Sequence, residues 1–352
     1  DFCLSRGLGD VYKRQRLQTI YMDIVRSFKR GVIENKNLIF FSIILSCFLR
    51  LGFFFSVADY TPEKLGAGYL WRGLLLDILS DKLISAAFSF ASVVGLALYL
   101  GQINARYALI RTRTYMVPSL VIFVFSLHPA FLFMTPQYIG VMSVLLSIYI
   151  LLSTYHQNNV SGKSYSIGFF LAVGSMFSFY TLTFFPLFLI GLSMMRCFRF
   201  KTVVAMLLGV ASIYWLAFFV FLAIGDTAAF VAPFLSLYPI VDLSFEQSAL
   251  FDLYYLVPAT LLGCLLFFYY QANSFHDKIR IRTNMMFFYL CFILSILSCW
   301  FIVYDPKLDA YLIVISGALL LSHFLSLAVV RWKVILFYLL VLLCVAVYIY
   351  NL

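Results

Sequence analysis

Arg50 is a guanidinium seven residues from the end of an apolar run spanning 38–57. At hydrocarbon depth a cation costs at least about 2–3 kcal/mol unless it is paired or reached by water. It is therefore either a binding group for an anion or a long side chain that snorkels to the headgroups. His128 precedes Pro129 at the end of another apolar run. An imidazole there can transfer a proton, hold a metal, or bond a neighbouring carbonyl that the proline has freed. Asp59 and Glu63 follow Arg50 closely, and Arg72, Asp77 and Asp81 come soon after. Segment 58–82 thus concentrates both signs of charge in a chain of which only 11% is charged.

The elements that must position these groups follow from composition. The 352 residues are 64% hydrophobic, with a mean hydropathy of +0.99. This is more apolar surface than a water-facing fold can cover. Lipid satisfies no open backbone group, so continuous apolar runs must be helices. The expectation is an all-α polytopic membrane protein with runs at 38–57, 83–102, 116–134, 138–155, 167–180, 182–195, 202–224, 252–271, 285–304, 311–330 and 334–350. The fifth and sixth runs are short against the ~20 residues of a straight span. They are two short spans or one re-entrant hairpin, which gives ten to eleven transmembrane helices.

Charge fixes the orientation. Basic residues such as Lys29, Arg30, Arg111, Arg113, Lys163, Arg199, Lys278 and Lys333 occupy alternate gaps, whereas the remaining gaps hold only Lys64, Arg72, Lys82 and Lys307. The positive-inside rule then makes the amino terminus cytoplasmic and explains the net charge of +10 without a nucleic-acid partner. Acids do the reverse, and because they contribute little to orientation, the acidic outer side is a separate observation. Segments 58–82 and 225–252 hold most of it. Either these are solvated loops, or they converge on an outward-facing polar cavity. Thr61, Pro62 and Glu63 look like a helix start. The helix would lie amphipathically along the outer surface, with Leu70, Leu74 and Ile78 on one face, Gly73, Asp77 and Asp81 on another, and Tyr69 and Trp71 as interfacial aromatics.

Residues 1–15 resemble a translated adaptor sequence and break in composition from the rest of the chain, so they are expected to be foreign. Residues 16–37 form a cytoplasmic basic segment, and 38–352 a single helical membrane domain. The seven cysteines include no C-x-x-C pair and read as packing residues.

Two resemblances rest on particular residues. Cys47-Phe48-Leu49-Arg50-Leu51-Gly52, followed by Asp59, an outer helix, a second span, and then Ser126-Leu127-His128-Pro129 after a basic turn, resembles the start of the C-type glycosyltransferase superfamily. That resemblance implies a multi-span fold with a large first outer loop, and a polyprenyl-phosphate sugar donor. It makes Asp59 or Glu63 the catalytic base or the anchor of a divalent cation. The family's loop acids usually form an Asp-Glu pair, whereas here Tyr60 follows Asp59 and the glutamate comes later. Asn104, Tyr115 and Pro118, with the stretch from Gly168 through Arg199-Phe200-Lys201 to Gly209 and Tyr214, are similar to a family of multi-pass inner-membrane proteins from Bacteroidetes, often labelled carotene oxygenases. The iron of an oxygenase would need several polar ligands, and the four histidines here are scattered among different runs and turns.

The chain carries no phosphate loop and no H-E-x-x-H. These features lead to a bacterial inner-membrane protein among membrane lipids. The glycosyltransferase expectation places Asp59 and Glu63 at the acceptor or a divalent cation, and Arg50, Arg72 and His128 at the substrate. The alternative is a non-enzymatic scaffold or a lipid or solute carrier.

Overall fold

A computed structural model describes residues 25–57, 60–62, 67–235, 249–301, 306–327 and 330–352. Among them, α1 (Asn37–Ser56), α2 (Lys82–Tyr107), α3 (Met116–Val124) and α4 (Pro136–Leu152) come first. They are followed by α5 (Ser161–Phe177), α6 (Phe185–Met194), α7 (Phe200–Ile224) and α8 (Thr227–Leu235). The last are α9 (Ala249–Asn273), α10 (Ile279–Phe301), α11 (Pro306–Ser326) and α12 (Arg331–Asn351). No strand is present among the described residues beyond one antiparallel bridge, Ala67 to Ser178.

Among the described residues six helices, α1, α2, α7, α10, α11 and α12, are long and apolar enough to cross a membrane by length and composition. The protein is an all-α, multi-pass membrane protein. Burial sorts the spans: 67% of the apolar window of α11 is buried inside the protein, against 6% for α7 and 11% for α12. The bare helices expose Trp215, Phe219, Leu342 and Ile349, a surface that water would not tolerate and hydrocarbon accepts.

Hydrogen bonds gather the connections into two ends. At one, His156 N–H donates to the Met195 carbonyl at 3.2 Å, Tyr115 N–H to the Ile33 carbonyl at 3.3 Å, and Arg199 to the Asn158 carbonyl at 3.2 Å. This end carries the basic turns and is called the basic face. At the other, Gly68 N–H donates to the Phe177 carbonyl at 2.8 Å, and Tyr69 Oη to the Phe230 carbonyl at 2.5 Å. The turn between α5 and α6 meets residues 67–68, so this pair runs the full way from the basic face to the acidic one and back.

Two elements differ from the sequence expectation. The run 116–134 is not one helix: α3 stops at Val124, and 125–135 is turns plus a 3-10 helix, Pro129–Phe131. The residue before a proline is pushed out of the helical region, and His128 is extended at φ −134° and ψ 134°. The outer segment, for its part, does not lie on the surface as an amphipathic helix. Residues 60–62 are non-helical, and a short helical stretch with a π-turn, Trp71–Leu75, is followed by a 3-10 turn, Ile78–Ser80. Trp71 is fully buried and Leu79 nearly so, while Leu70 and Ile78 are exposed. Trp71, expected at the interface, is instead packed inside the protein, whereas Leu70 and Ile78 stay on the outside, as expected of a lipid-facing stripe. Docking at Gly68 sets this rotation, because a Cβ there would lie 2.3 Å from the Met176 carbonyl oxygen.

The residues that carry the second resemblance are packing and capping groups. Cβ atoms at Gly168 and Gly209 would lie 2.0 Å from the Met206 carbonyl oxygen and 2.2 Å from that of Tyr165, so α5 and α7 meet backbone to backbone. Asn104 Oδ1 accepts from Ile110 N–H at 3.1 Å, and the Pro118 ring packs at 3.6 Å from where a Gly101 Cβ would stand. The hydroxyls of Tyr214 and Ser175 are 2.8 Å apart.

Candidate functional site

The break after α3 leaves backbone carbonyls without helical partners inside the protein, where each needs a donor. Arg50 supplies one set. The buried residues of α1 are Ser42, Ser46, Arg50 and Phe53, spaced by a helical turn along one stripe. Arg50 is only 6% exposed, so it does not snorkel. Its Nη2 donates to the Phe131 carbonyl at 3.1 Å, and Nη1 to Ser89 Oγ at 3.1 Å and the Leu132 carbonyl at 3.4 Å. Nε donates to Ser126 Oγ at 3.4 Å, and Ser126 and Ser46 share a 2.5 Å hydroxyl contact. These bonds occupy four of the five guanidinium N–H groups. Among the described residues no carboxylate pairs with the charge.

Other hydroxyls complete the cluster. Ser89 donates to the Phe131 carbonyl at 3.0 Å and Tyr138 does so at 2.7 Å. Thr135 and Tyr311 are joined at 2.9 Å. Tyr60, the residue after Asp59, donates to Ser85 Oγ at 2.7 Å and to the Leu79 carbonyl at 2.9 Å, and Ser85 Oγ accepts from Met134 N–H at 3.0 Å. The Tyr60 ring lies 4.3 Å from that of Phe133. The outer segment therefore rests on the same broken linker that Arg50 supports.

The five sequence candidates fall out differently. Arg50 and His128 share the 125–135 linker. His128 is buried, with Nδ1 accepting from Ala130 N–H at 3.0 Å, so it caps the 3-10 turn. Arg72 has an exposed side chain beside Trp71 on the acidic face, and no contact joins it to Arg50 among the described residues. Asp59 and Glu63 lie outside the described residues. Among those described, no group of three or more His, Cys, Asp or Glu could hold a metal. On the outer segment, burial, with a smaller effect from Tyr214, pushes the Tyr69 phenol up to about 12, so it remains a neutral donor.

Sequence reasoning passed over the serines and a second polar group at the basic face. The serines had a signal: Ser42, Ser46 and Arg50, like Ser85 and Ser89, recur at four-residue spacing within apolar runs, which marks the face turned to the protein interior. At the basic face, buried Asp277 accepts from Arg111 Nε at 2.5 Å and lies 3.8 Å from His323 Nε2. Lys333 is buried, donating to the Phe324 and Leu327 carbonyls at 2.7 Å, with the Tyr269 ring 4.4 Å from its ammonium. This group ties three turns together and caps the end of α11. No protein-family model matches the chain, and no curated protein or solved structure matches it either.

Proposed function

We propose that this multi-pass membrane protein is a glycosyltransferase of the bacterial inner membrane, moving a sugar from a polyprenyl-phosphate donor onto an envelope glycan or lipid at the acidic face. The observation that carries the reading is Arg50: a buried guanidinium with no carboxylate partner among the described residues, set at a break in a span, beneath the outer segment that bears Asp59 and Glu63. A fixed guanidinium recognises phosphate, as it does carboxylate. Asp59 or Glu63 would act as base toward the acceptor hydroxyl or anchor a divalent cation. Arg72 and His128 would border the substrate.

A second reading, a non-enzymatic scaffold or carrier, has its own support. Three of the four Arg50 partners, Ser126 and the carbonyls of Phe131 and Leu132, belong to the broken linker, which is what a structural pin would hold. Mass analysis of envelope glycolipids separates the two. A deletion strain should lose or accumulate a lipid, wild type should restore it, and Asp59→Asn or Glu63→Gln should fail to restore it at normal expression. Identical profiles in all three complemented strains would remove these carboxylates from the chemistry. An unchanged profile in the deletion itself would favour the scaffold.

A further inference from the structure

Residues 25–33, which precede α1, form a short helical stretch at the basic face. Phe28, Ile33 and the partly buried Val32 pack against Val334 and Phe337 of α12, with the Phe28 ring 5.2 Å from that of Phe337 and 6.4 Å from that of Tyr338. Arg26, Ser27, Lys29, Arg30 and Gly31 are exposed on the other side. The stretch is therefore amphipathic, and its partners fix its depth. Val334 and Phe337 stand in the first two turns of α12, roughly 4–9 Å from its start at ~1.5 Å per residue, so the stretch lies beside the spans where headgroups meet hydrocarbon. The exposed Trp332 and Tyr338 mark the same level.

Arg26, Ser27, Arg30 and Gly31 line an open cavity of about 510 Å3. Lys29 is paired with Glu34 at 3.4 Å, whereas Arg26 and Arg30 have no carboxylate partner among the described residues. A Cβ at Gly31 would meet nothing within 4 Å, so the backbone there is open to a ligand. We infer that this cavity holds the phosphodiester headgroup of an anionic diacyl phospholipid from the leaflet at the basic face. Side chains four residues apart on a helix are neighbours, so the two guanidinium forks can share one phosphate, with the Ser27 hydroxyl as a further donor. The volume corresponds to about seventeen groups at the ~30 Å3 of a water-sized unit, which leaves room for the headgroup alcohol beside the phosphate. Depth selects the source of that phosphate, because a lipid's headgroup already lies where the stretch docks. Orientation by positive charge accounts for cations on this face, but not for two unpaired arginines around one cavity beside a lysine that has its own acid. The site lies at the opposite face from Asp59 and Glu63, and it stands whether or not sugar transfer does.

The test uses the full chain in neutral detergent micelles, titrated with phosphatidylglycerol or phosphatidylcholine and read by native mass spectrometry as the Kd of the first bound lipid. Phosphatidylglycerol should bind about ten-fold more tightly than phosphatidylcholine, a difference of ~1.4 kcal/mol. Arg26→Gln with Arg30→Gln should abolish that preference. Lys201→Gln with Lys278→Gln removes the same charge from exposed positions on the same face and should leave the preference close to that of wild type. Arg26→Lys with Arg30→Lys keeps both charges without the forks and should give an intermediate preference. Wild type without a preference, equal losses in the two glutamine pairs, or a lysine pair indistinguishable from wild type would overturn the inference. Glycerol phosphate at equal concentration should not displace the lipid, and displacement would assign the cavity to a soluble phosphate ester in its place.

Discussion

At the scale of the residue, Arg50 illustrates how a membrane interior retains a charge. Its N–H groups supply donors to carbonyls that a broken helix leaves behind, so the arginine and the break stabilise each other. Arg50→Met keeps most of the volume and removes four donors. Hydrogen bonds to charged groups contribute about 1.5–3 kcal/mol each when short, and two of the four here are long, at 3.4 Å. The expected loss is about 2–4 kcal/mol, measured as a lower unfolding midpoint in a mixed-micelle denaturant titration. Arg50→Lys should fall between, because an ammonium keeps the charge without the fork. A midpoint equal to wild type in Arg50→Met would show that the linker holds itself. Arg50 stood out in sequence because one charge in an apolar run is conspicuous. Its partners did not, since Ser126 and the Phe131 and Leu132 carbonyls lie 76 to 82 residues away and backbone carbonyls carry no sequence signature. His128 was legible as a backbone-bonding group, and its Nδ1 accepts from the Ala130 N–H.

At the scale of the element, hydrophobic periodicity located the helices, and local chemistry decided where they break. The short fifth and sixth runs become two helices because α5 starts at Ser161, ahead of its apolar run, with Lys163 donating to the Ser153 carbonyl at 3.0 Å. In the outer segment the apolar stripe of Leu70 and Ile78 was legible, but the break into two short pieces and the burial of Trp71 were not. Both depend on the tertiary dock at Gly68, invisible in the segment itself. The tightest pairing, α5 on α7, yields a direct test. Gly168→Ala drives a methyl against the backbone carbonyl of Met206, and overpacking against backbone costs about 1–3 kcal/mol. Gly95→Ala on α2 meets nothing within 4 Å, so it should be neutral or stabilising by about 0.5–1 kcal/mol through helix propensity. The unfolding midpoint should fall for Gly168→Ala and hold or rise for Gly95→Ala. A Gly168→Ala midpoint at or above wild type would mean that α5 and α7 are farther apart than described.

At the scale of the whole molecule, the alternation of charge along the sequence and the grouping of turns in space agree. The loops tied to one another by hydrogen bonds at each end are those that the positive-inside pattern assigns to one side. Cysteine labelling tests the sidedness in a background without native cysteines. Positions 64 and 244, which lie outside the described residues, should react with an impermeant maleimide in intact cells. Positions 163 and 278 should react only after the membrane is opened. Reversal at both outer positions would invert the topology. Overall architecture was legible because lipid leaves helices as the one solution for such runs. The polar cluster was not, because it is assembled from four separate helices and a linker, each supplying one or two small hydroxyls.

The separation between Arg50 and its partners also bears on biogenesis. During synthesis at ~5–20 residues per second, α1 emerges roughly 4–16 s before the linker that will accept its guanidinium. Closure onto α12 comes later still, with Tyr348 Oη donating to the Leu49 carbonyl at 3.1 Å across 299 positions. The first span is apolar enough to enter lipid alone, with a mean hydropathy of 2.3, so for that interval its guanidinium must reach toward the headgroups. Folding then turns a snorkelling arginine into a buried one.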